Sequence, residues 1–219
     1  MSIKTAKTTA TGLDPDLAAT NRAFASAGPG EVLEWTAGRA QRPVITTNFR
    51  PMSIALIHLA NAIIPGIPVI WIDHGFNTAE THTFVRQVTT RFELNLRIYR
   101  PQLHEATDPG STASIPPLDT PAHRRFTERV KLEPFSRALD EWQPDVWITG
   151  IRADQTSFRQ TLDVLSAGPQ GVLRVAPFFH WTEVDVEGHI YDHGLPDYTR
   201  YTDPTKGTQE RECGLQTLR

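Results

Sequence analysis

The chain has 219 residues, 39% hydrophobic and 21% charged, enough to build a core within one decorated α/β domain or at most two small domains. A formal net charge of −3 excludes a global basic field for nucleic acid. The single cysteine excludes an intramolecular disulfide and, within one chain, a cysteine-ligated zinc or iron–sulfur centre.

No apolar run is long enough to span a bilayer, and the opening MSIKTAKTTATGLDPDLAAT has no apolar signal region. With a free thiol besides, a reduced, cytoplasmic setting away from membranes is expected. The 17 prolines and a mean hydropathy of −0.35 imply much loop.

Residues 1–12 read as a polar start. LDPDLAATNRAFASA reads as an alanine-filled helix capped by Asp14 or Asp16, and GEVLEWTAGRA as a second short helix. In RPVITTNFRP the β-branched Val44, Ile45, Thr46 and Thr47 suit a buried strand. Pro51 suits the first turn of a helix, and MSIALIHLANAII crowds Leu56, Ile57, Leu59, Ala60, Ile63 and Ile64 on one side. IPVIWID, apolar almost throughout, predicts a strand covered on both faces. TAETHTFVRQVTTRFEL predicts a helix with Thr78 as its cap, and NLRIYRP a third strand. Residues 101–121, rich in Pro, Ser and Thr, read as a long loop. AHRRFTERVKLEPFSRALDEW is helical at both ends, with Pro134 at a kink or junction. PDVWITGIR and GVLRVAPFF predict the fourth and fifth strands, and WTEVDVEGHIYDHG a last helix ending near Gly194. Beyond it the tail reads as polar and irregular. Strands alternating with helices argue for a doubly wound, mostly parallel sheet.

Ligands of such a sheet bind beyond the carboxyl ends of its strands. The first strand ends in TTNFR, with two hydroxyls, a helix N-terminus and Arg50 for an anion. The second ends at Asp73 with Gly75 beyond, where backbone can approach a flat base. The fourth leads into GIRADQTSFR, whose Arg152 and Arg159 suit phosphate or sulfate oxygens. Taken singly, the threonines reflect strand propensity, the arginines a solvated face and Asp73 a helix cap; all three, however, fall on one edge of the sheet. His58 lies within an apolar helix and reads as a satisfied core histidine. His189 and His193 share a helix face as metal-binding pairs do, but no third ligand is evident, so no metal is expected. Cys213, in TQERECGLQTLR, reads by itself as a chance surface thiol.

ITTNFRPMSIALIHLANAIIPGIPVIWIDHGFNTAETHTFVRQVT, VKLEPFSRALDEWQPDVWITGIRADQTSFR and the terminal RECGLQ together resemble the phosphoadenosine phosphosulfate reductase family. The resemblance runs from Val44 to Gln216. It rests on Asp-x-Gly-aromatic followed by Glu-Thr, on Lys-x-Glu-Pro, on Gly-x-Arg-x-x-Gln-Ser/Thr-x-x-Arg, and on Glu-Cys-Gly-Leu. It implies an adenine nucleotide α-hydrolase-like fold and the reduction of an activated sulfate to sulfite and adenosine 3′,5′-bisphosphate, a step of sulfate assimilation toward cysteine.

By that resemblance the Cys213 thiolate attacks the sulfur of a sulfonucleotide, leaving an S-sulfocysteine that thioredoxin or glutaredoxin reduces. A mobile tail suits a thiol that must meet two partners. Thr46, Thr47, Asn48, Phe49 and Arg50 then form the phosphate-side loop, and Asp73, Gly75 and Phe76 sit by the adenosine. Lys131, Arg152 and Arg159 face phosphate or sulfate oxygens, while Arg211 arrives with Cys213 and, with Lys206, favours the thiolate and screens the anion. A homodimer is implied, and three parts are expected: residues 1–40 as an N-terminal helical segment, 41–193 as the nucleotide-binding domain and 194–219 as the catalytic tail.

The chain departs from the family where Arg50 and Pro51 replace smaller or polar residues, where His74 stands at a position usually held by a small hydroxyl residue, and where Gln216 replaces a histidine. Relatives that reduce the substrate lacking the 3′-phosphate usually carry four more cysteines for a cluster, absent here. The 3′-phosphorylated substrate and no cofactor are therefore expected. The alternatives are a cluster-free enzyme for the simpler sulfonucleotide and a diverged nucleotide-binding module without reductase activity. An enzyme that activates ATP at its α-phosphate ranks last, because its Ser-Gly-Gly-x-Asp-Ser loop is missing.

Overall fold

The computed structural model of the chain describes residues 16–102, 115–206 and 215. Helix α1, Leu17–Ala23, is opened by Asp16, whose carboxylate accepts the Ala19 N–H at 3.0 Å. It passes into a single 3₁₀ turn, Phe24–Ser26, so the helix is shorter than its alanine content predicts. α2, Pro29–Ala37, begins with proline in its first turn, and Glu31 accepts the Gly28 N–H at 2.8 Å. Then β1 (Pro43–Thr47), α3 (Pro51–Ile63), β2 (Pro68–Ile72), α4 (Ala79–Arg91) and β3 (Asn95–Tyr99) follow in the expected alternation. Thr78 caps α4 by accepting the Thr81 N–H. Most of the long loop expected at 101–121 lies outside the described residues.

The Pro134 junction is resolved by one π turn. α5 (Pro121–Thr127) runs through π-helical Glu128–Leu132 into α6 (Glu133–Trp142). In an unbroken α-helix the Pro134 ring would collide with a carbonyl of the preceding turn; the wider π turn removes that collision. α6 stops where Gln143 turns left-handed. β4 (Val146–Ile148), β5 (Leu165–Ala167), β6 (Leu173–Val175) and α7 (Glu183–Asp192) complete the chain order.

The sheet runs β3-β2-β1-β4-β6-β5, parallel throughout except for the antiparallel β5–β6 pair. Alternation along each strand sends side chains to two cores. Ile45, Val69, Trp71, Val146 and Ile148 join one that also takes residues of α2, α3, α4 and α7. Val44, Ile70, Ile72 and Trp147 join another closed by Phe135, Ala138 and Leu139 of α6. Helices on both faces explain the near-continuous apolar runs of the parallel strands.

Two expectations change. The fourth and fifth predicted strands are only three residues each, Val146–Ile148 and Leu173–Val175. The extra strand, β5, went unpredicted because LSA has no alternating pattern. Its free edge is closed by Asn21, whose side-chain amide exchanges two 2.8 Å hydrogen bonds with the Leu165 backbone as a neighbouring strand would. Among the described residues no helix is long and apolar enough to cross a membrane.

Candidate active site

The strand order reverses direction between β1 and β4, the switch point beyond whose carboxyl ends doubly wound sheets take their ligands. The loop after β1 is shaped by its own side chains. Thr47 Oγ1 accepts the Phe49 N–H at 2.9 Å, and Asn48 Oδ1 accepts from the Arg50 N–H and the Ser53 hydroxyl. Phe49 adopts a left-handed φ of 56°, unusual for a bulky residue. Packing holds it there: the ring is 1% exposed and sits edge-on to Trp71 at 5.6 Å. The Phe49 side chain therefore belongs to the core and leaves its backbone to the loop. Thr46 Oγ1 accepts from Trp147 Nε1 at 2.9 Å, locking β1 to β4. Arg50 is exposed at the cap of α3, whose N-terminal turn follows β1 at this switch point.

Asp73 is buried just past β2. It accepts from Asn77 Nδ2 at 2.8 Å and from Arg100 Nε at 2.9 Å, with His82 Nε2 at 3.8 Å. Burial alone would raise its carboxyl, but the hydrogen bonds from Asn77 and Arg100 and the charges of His82 and Arg100 outweigh it. The carboxyl is held below its ordinary range. Gly75 turns the loop at a φ of 85°, and Phe76 packs edge-on to Phe126 of α5 at 5.4 Å.

After β4, buried Arg152 forks onto Asp154 at 2.9 and 3.2 Å, while its Nη1 touches Met52 Sδ at the start of α3. Gln155 Oε1 accepts from both the Arg152 N–H and Arg159 Nη1, so the two arginines share one support. Lys131, in the π turn, is 7% exposed and ion-pairs with Asp203, with the Thr205 hydroxyl at 3.5 Å. Burial would raise the Asp203 carboxyl; Lys131 and the two Thr205 hydrogen bonds hold it low instead.

Among the described residues that follow α7, residues 193–206 form no helix or strand, yet they are packed rather than loose. Tyr198 stacks on Phe84 at 4.7 Å and bonds Thr81 Oγ1 through its hydroxyl at 3.0 Å. Tyr201 lies 5.9 Å from the His74 ring, and Leu195 is buried. Lys206 is half-buried, its backbone N–H donating to the Asp203 carbonyl. Arg211, Cys213 and Gln216 lie outside the described residues.

The structure thus gathers the loops carrying Thr46, Thr47, Asn48, Arg50, Asp73, Gly75, Phe76, Lys131, Arg152 and Arg159 along one end of the sheet. It also supplies partners that the sequence reading passed over. Arg100 was legible, because it ends the strand parallel to that of Asp73. Asp203, in a patternless segment, was not. His58 is half-buried and meets His189 Nε2 through Nδ1 at 3.3 Å, with the His193 ring 4.8 Å away. Burial first, then the charges of His193 and Arg91, lowers the pKa of His58; burial, His193 and His58 lower that of His189, with Asp192 opposing. Among the described residues no group of three metal-ligating side chains is arranged to hold an ion.

A mostly parallel six-stranded sheet with its switch point between β1 and β4 is the adenine nucleotide α-hydrolase-like architecture. The chain is similar in fold to the phosphoadenylyl-sulfate reductase of Candida auris in its phosphate complex: TM-score 0.71, 22% identity, 83% of this chain and 87% of that one. The phosphoadenosine phosphosulfate reductase domain matches residues 42–202, and the chain belongs to that family. The phosphoadenosine 5′-phosphosulfate reductase of Synechococcus sp. is 29% identical over 83% of this chain and 79% of its own length. That of Synechocystis sp. is 36% identical over 70% of this chain and 61% of its own.

Proposed function

We propose that the protein reduces 3′-phosphoadenylyl sulfate to sulfite and adenosine 3′,5′-bisphosphate. The observation that carries this is the β1/β4 switch point of a family member, flanked by the α3 N-terminus, Lys131 and the Arg152–Gln155–Arg159 support, on a chain that carries Glu-Cys-Gly-Leu at residues 212–215. The α3 N-terminus, Arg50 and Arg159 attract the phosphates. Asp73, kept ionised, accepts from the nucleoside side, and Gly75 lets the backbone approach the base.

In the first step the Cys213 thiolate attacks the sulfuryl sulfur. An S–S bond forms, the S–O bond to the 5′-phosphate breaks, and its electron pair leaves with adenosine 3′,5′-bisphosphate. In the second, a thiolate of reduced thioredoxin or glutaredoxin attacks Cys213 Sγ. Sulfite departs with the S–S electron pair, and the reductant's second thiol resolves the mixed disulfide. The dithiol is oxidised by two electrons and sulfur is reduced by two; the steps call for no cofactor. Arg211 and Lys206 favour the thiolate. Leu215, packed against the α6-side core, supports a tail that returns to the sheet. A homodimer in the cytoplasm belongs to the same reading.

The ion pairs Arg152–Asp154 and Lys131–Asp203 favour one competitor, a nucleotide-binding module without reductase activity, because both cations already hold carboxylates. Sulfite release from the phosphorylated and unphosphorylated sulfonucleotides, with thioredoxin, separates the readings. Release from the phosphorylated form only, lost in Cys213→Ser, is expected. Equal turnover by Cys213→Ser would refute the thiol mechanism, and bisphosphate binding with no sulfite under any reductant would establish the module.

A further inference from the structure

His74 stands between Asp73 and Gly75 at the end of β2, and nothing in the proposed steps uses it. It is 1% exposed. Its Nδ1 lies 3.1 Å from the Phe76 backbone N–H and accepts from it. A ring nitrogen that accepts carries no proton, so the neutral imidazole holds its hydrogen on Nε2. Burial is the main reason the ring stays neutral, pushing its pKa down to about 4; the nearby charges of Asp203 and Asp73 favour protonation, and those of Lys131 and His82 oppose it. Nε2 is itself buried and, among the described residues, has no hydrogen-bond partner. A donor withheld from water with nothing to receive its proton is unfavourable, and it persists where a ligand supplies the acceptor.

What lies over this donor is the segment after α7. Tyr201 packs by the imidazole, and Asp203 sets a carboxylate on Lys131. Of all charges, those of Asp203 and Lys131 act most strongly on His74. The chain itself thus already sets an anion near His74.

Building on the reductase reading, we propose that His74 is a specificity-determining hydrogen-bond donor of this site. Its Nε2–H and the Lys131 ammonium form a subsite for one phosphate or sulfate oxygen of the nucleotide, and in the ligand-free chain the Asp203 carboxylate holds Lys131 while Nε2–H goes without an acceptor among the described residues. The nucleotide displaces Asp203 and supplies the missing acceptor. A hydroxyl residue at position 74 could donate only from a shorter side chain that is free to rotate, whereas the imidazole is pinned by Phe76.

The test uses the full chain and adenosine 3′,5′-bisphosphate, with the KM for the sulfonucleotide measured alongside to tell a phosphate contact from a sulfate contact. His74→Phe, which keeps the ring but has no donor, is expected to weaken bisphosphate binding or raise KM about tenfold. His74→Gln, which keeps an N–H, is expected to recover most of the loss. Asp203→Asn is expected to tighten binding, the opposite of what a merely structural residue would do. In native protein labelled with ¹⁵N-histidine, the His74 ring is expected to titrate as the Nε2–H tautomer and its Nε2–H signal to shift on saturation, a readout that needs no variant to fold.

Native affinity and KM in folded His74→Phe, an Nε2–H signal unmoved at saturation, or weaker binding by Asp203→Asn would each overturn the proposal while leaving the reductase reading standing. If the native chain bound neither nucleotide, the reductase reading would fail and the proposal with it.

Discussion

Acid should act on the protein through one buried imidazole before it acts on the carboxylates. His74 takes up a proton near 6.5 when unfolded, but in the folded chain burial pushes its pKa down to about 4. Between those values the unfolded state binds more protons, so stability is fully present above pH 6.5 and falls as the pH is lowered through the window. The gap of about 2.5 pH units, at about 1.4 kcal/mol each, amounts to a loss of about 3 kcal/mol between pH 7 and pH 4. Asp73 and Asp203 work in a lower range: both are held below the ordinary 3.8, so their contribution is lost only below that. His58 and His189, also lowered, add to the loss in the upper window. The assay is urea unfolding at pH 7 and pH 4, comparing the native chain with His74→Gln, which removes one titrating group and leaves the rest. Native protein should lose about 3 kcal/mol more than the variant over that interval. Equal losses in the two proteins would refute the reasoning, since every other titration is common to both.

Two further outcomes follow from the geometry. In Gly168→Ala the new methyl would sit 2.8 Å from Val172 Cγ1 and 3.0 Å from its carbonyl oxygen. Overpacking of that kind should destabilise by about 1–3 kcal/mol in a denaturant titration, and an unchanged midpoint would contradict the contact. Arg100→Ala removes both a hydrogen bond and a charge from Asp73, so its carboxyl should titrate higher than in the native chain when followed by carbon NMR. An unmoved titration would mean that Asn77 and His82 suffice.

The sequence made legible whatever rests on repetition along the chain. The unbroken apolar run VIWI reports a strand buried on both faces, and Val69 with Trp71 and Ile70 with Ile72 divide between two cores as the two-residue period of a strand requires. Thr78, and Asp14 or Asp16, read as caps because a cap is local, and Thr78 and Asp16 each accept a backbone N–H three residues on. By position Phe49 belongs to the loop expected on the phosphate side; the inward turn of its ring depends on Trp71, which arrives from another strand. Asp203 was missed for a similar reason: its meaning comes from Lys131, 72 positions away and supplied by a π turn. β5 is not legible because three small or mixed residues carry no period, and its partner β6 reads only as the fifth strand of the parallel sheet.

The β5–β6 hairpin also bears on the order in which the molecule assembles. Leu165 meets Val175 across a short turn, whereas Ile45 meets Ile148 only after half the chain has been made and gathered. Closing a short loop is entropically easier and faster than closing a long one, so the hairpin can form early while the parallel pairs wait for their crossover helices. β4 then adds beside β6, and β1 beside β4. High φ-values at Leu165 and Val175 with low ones at Val69 would be the kinetic signature; the reverse pattern would put the nucleus at the other edge. On this route the sheet grows from its antiparallel margin inward, and the switch point between β1 and β4 comes into being only when the last long-range pairing closes.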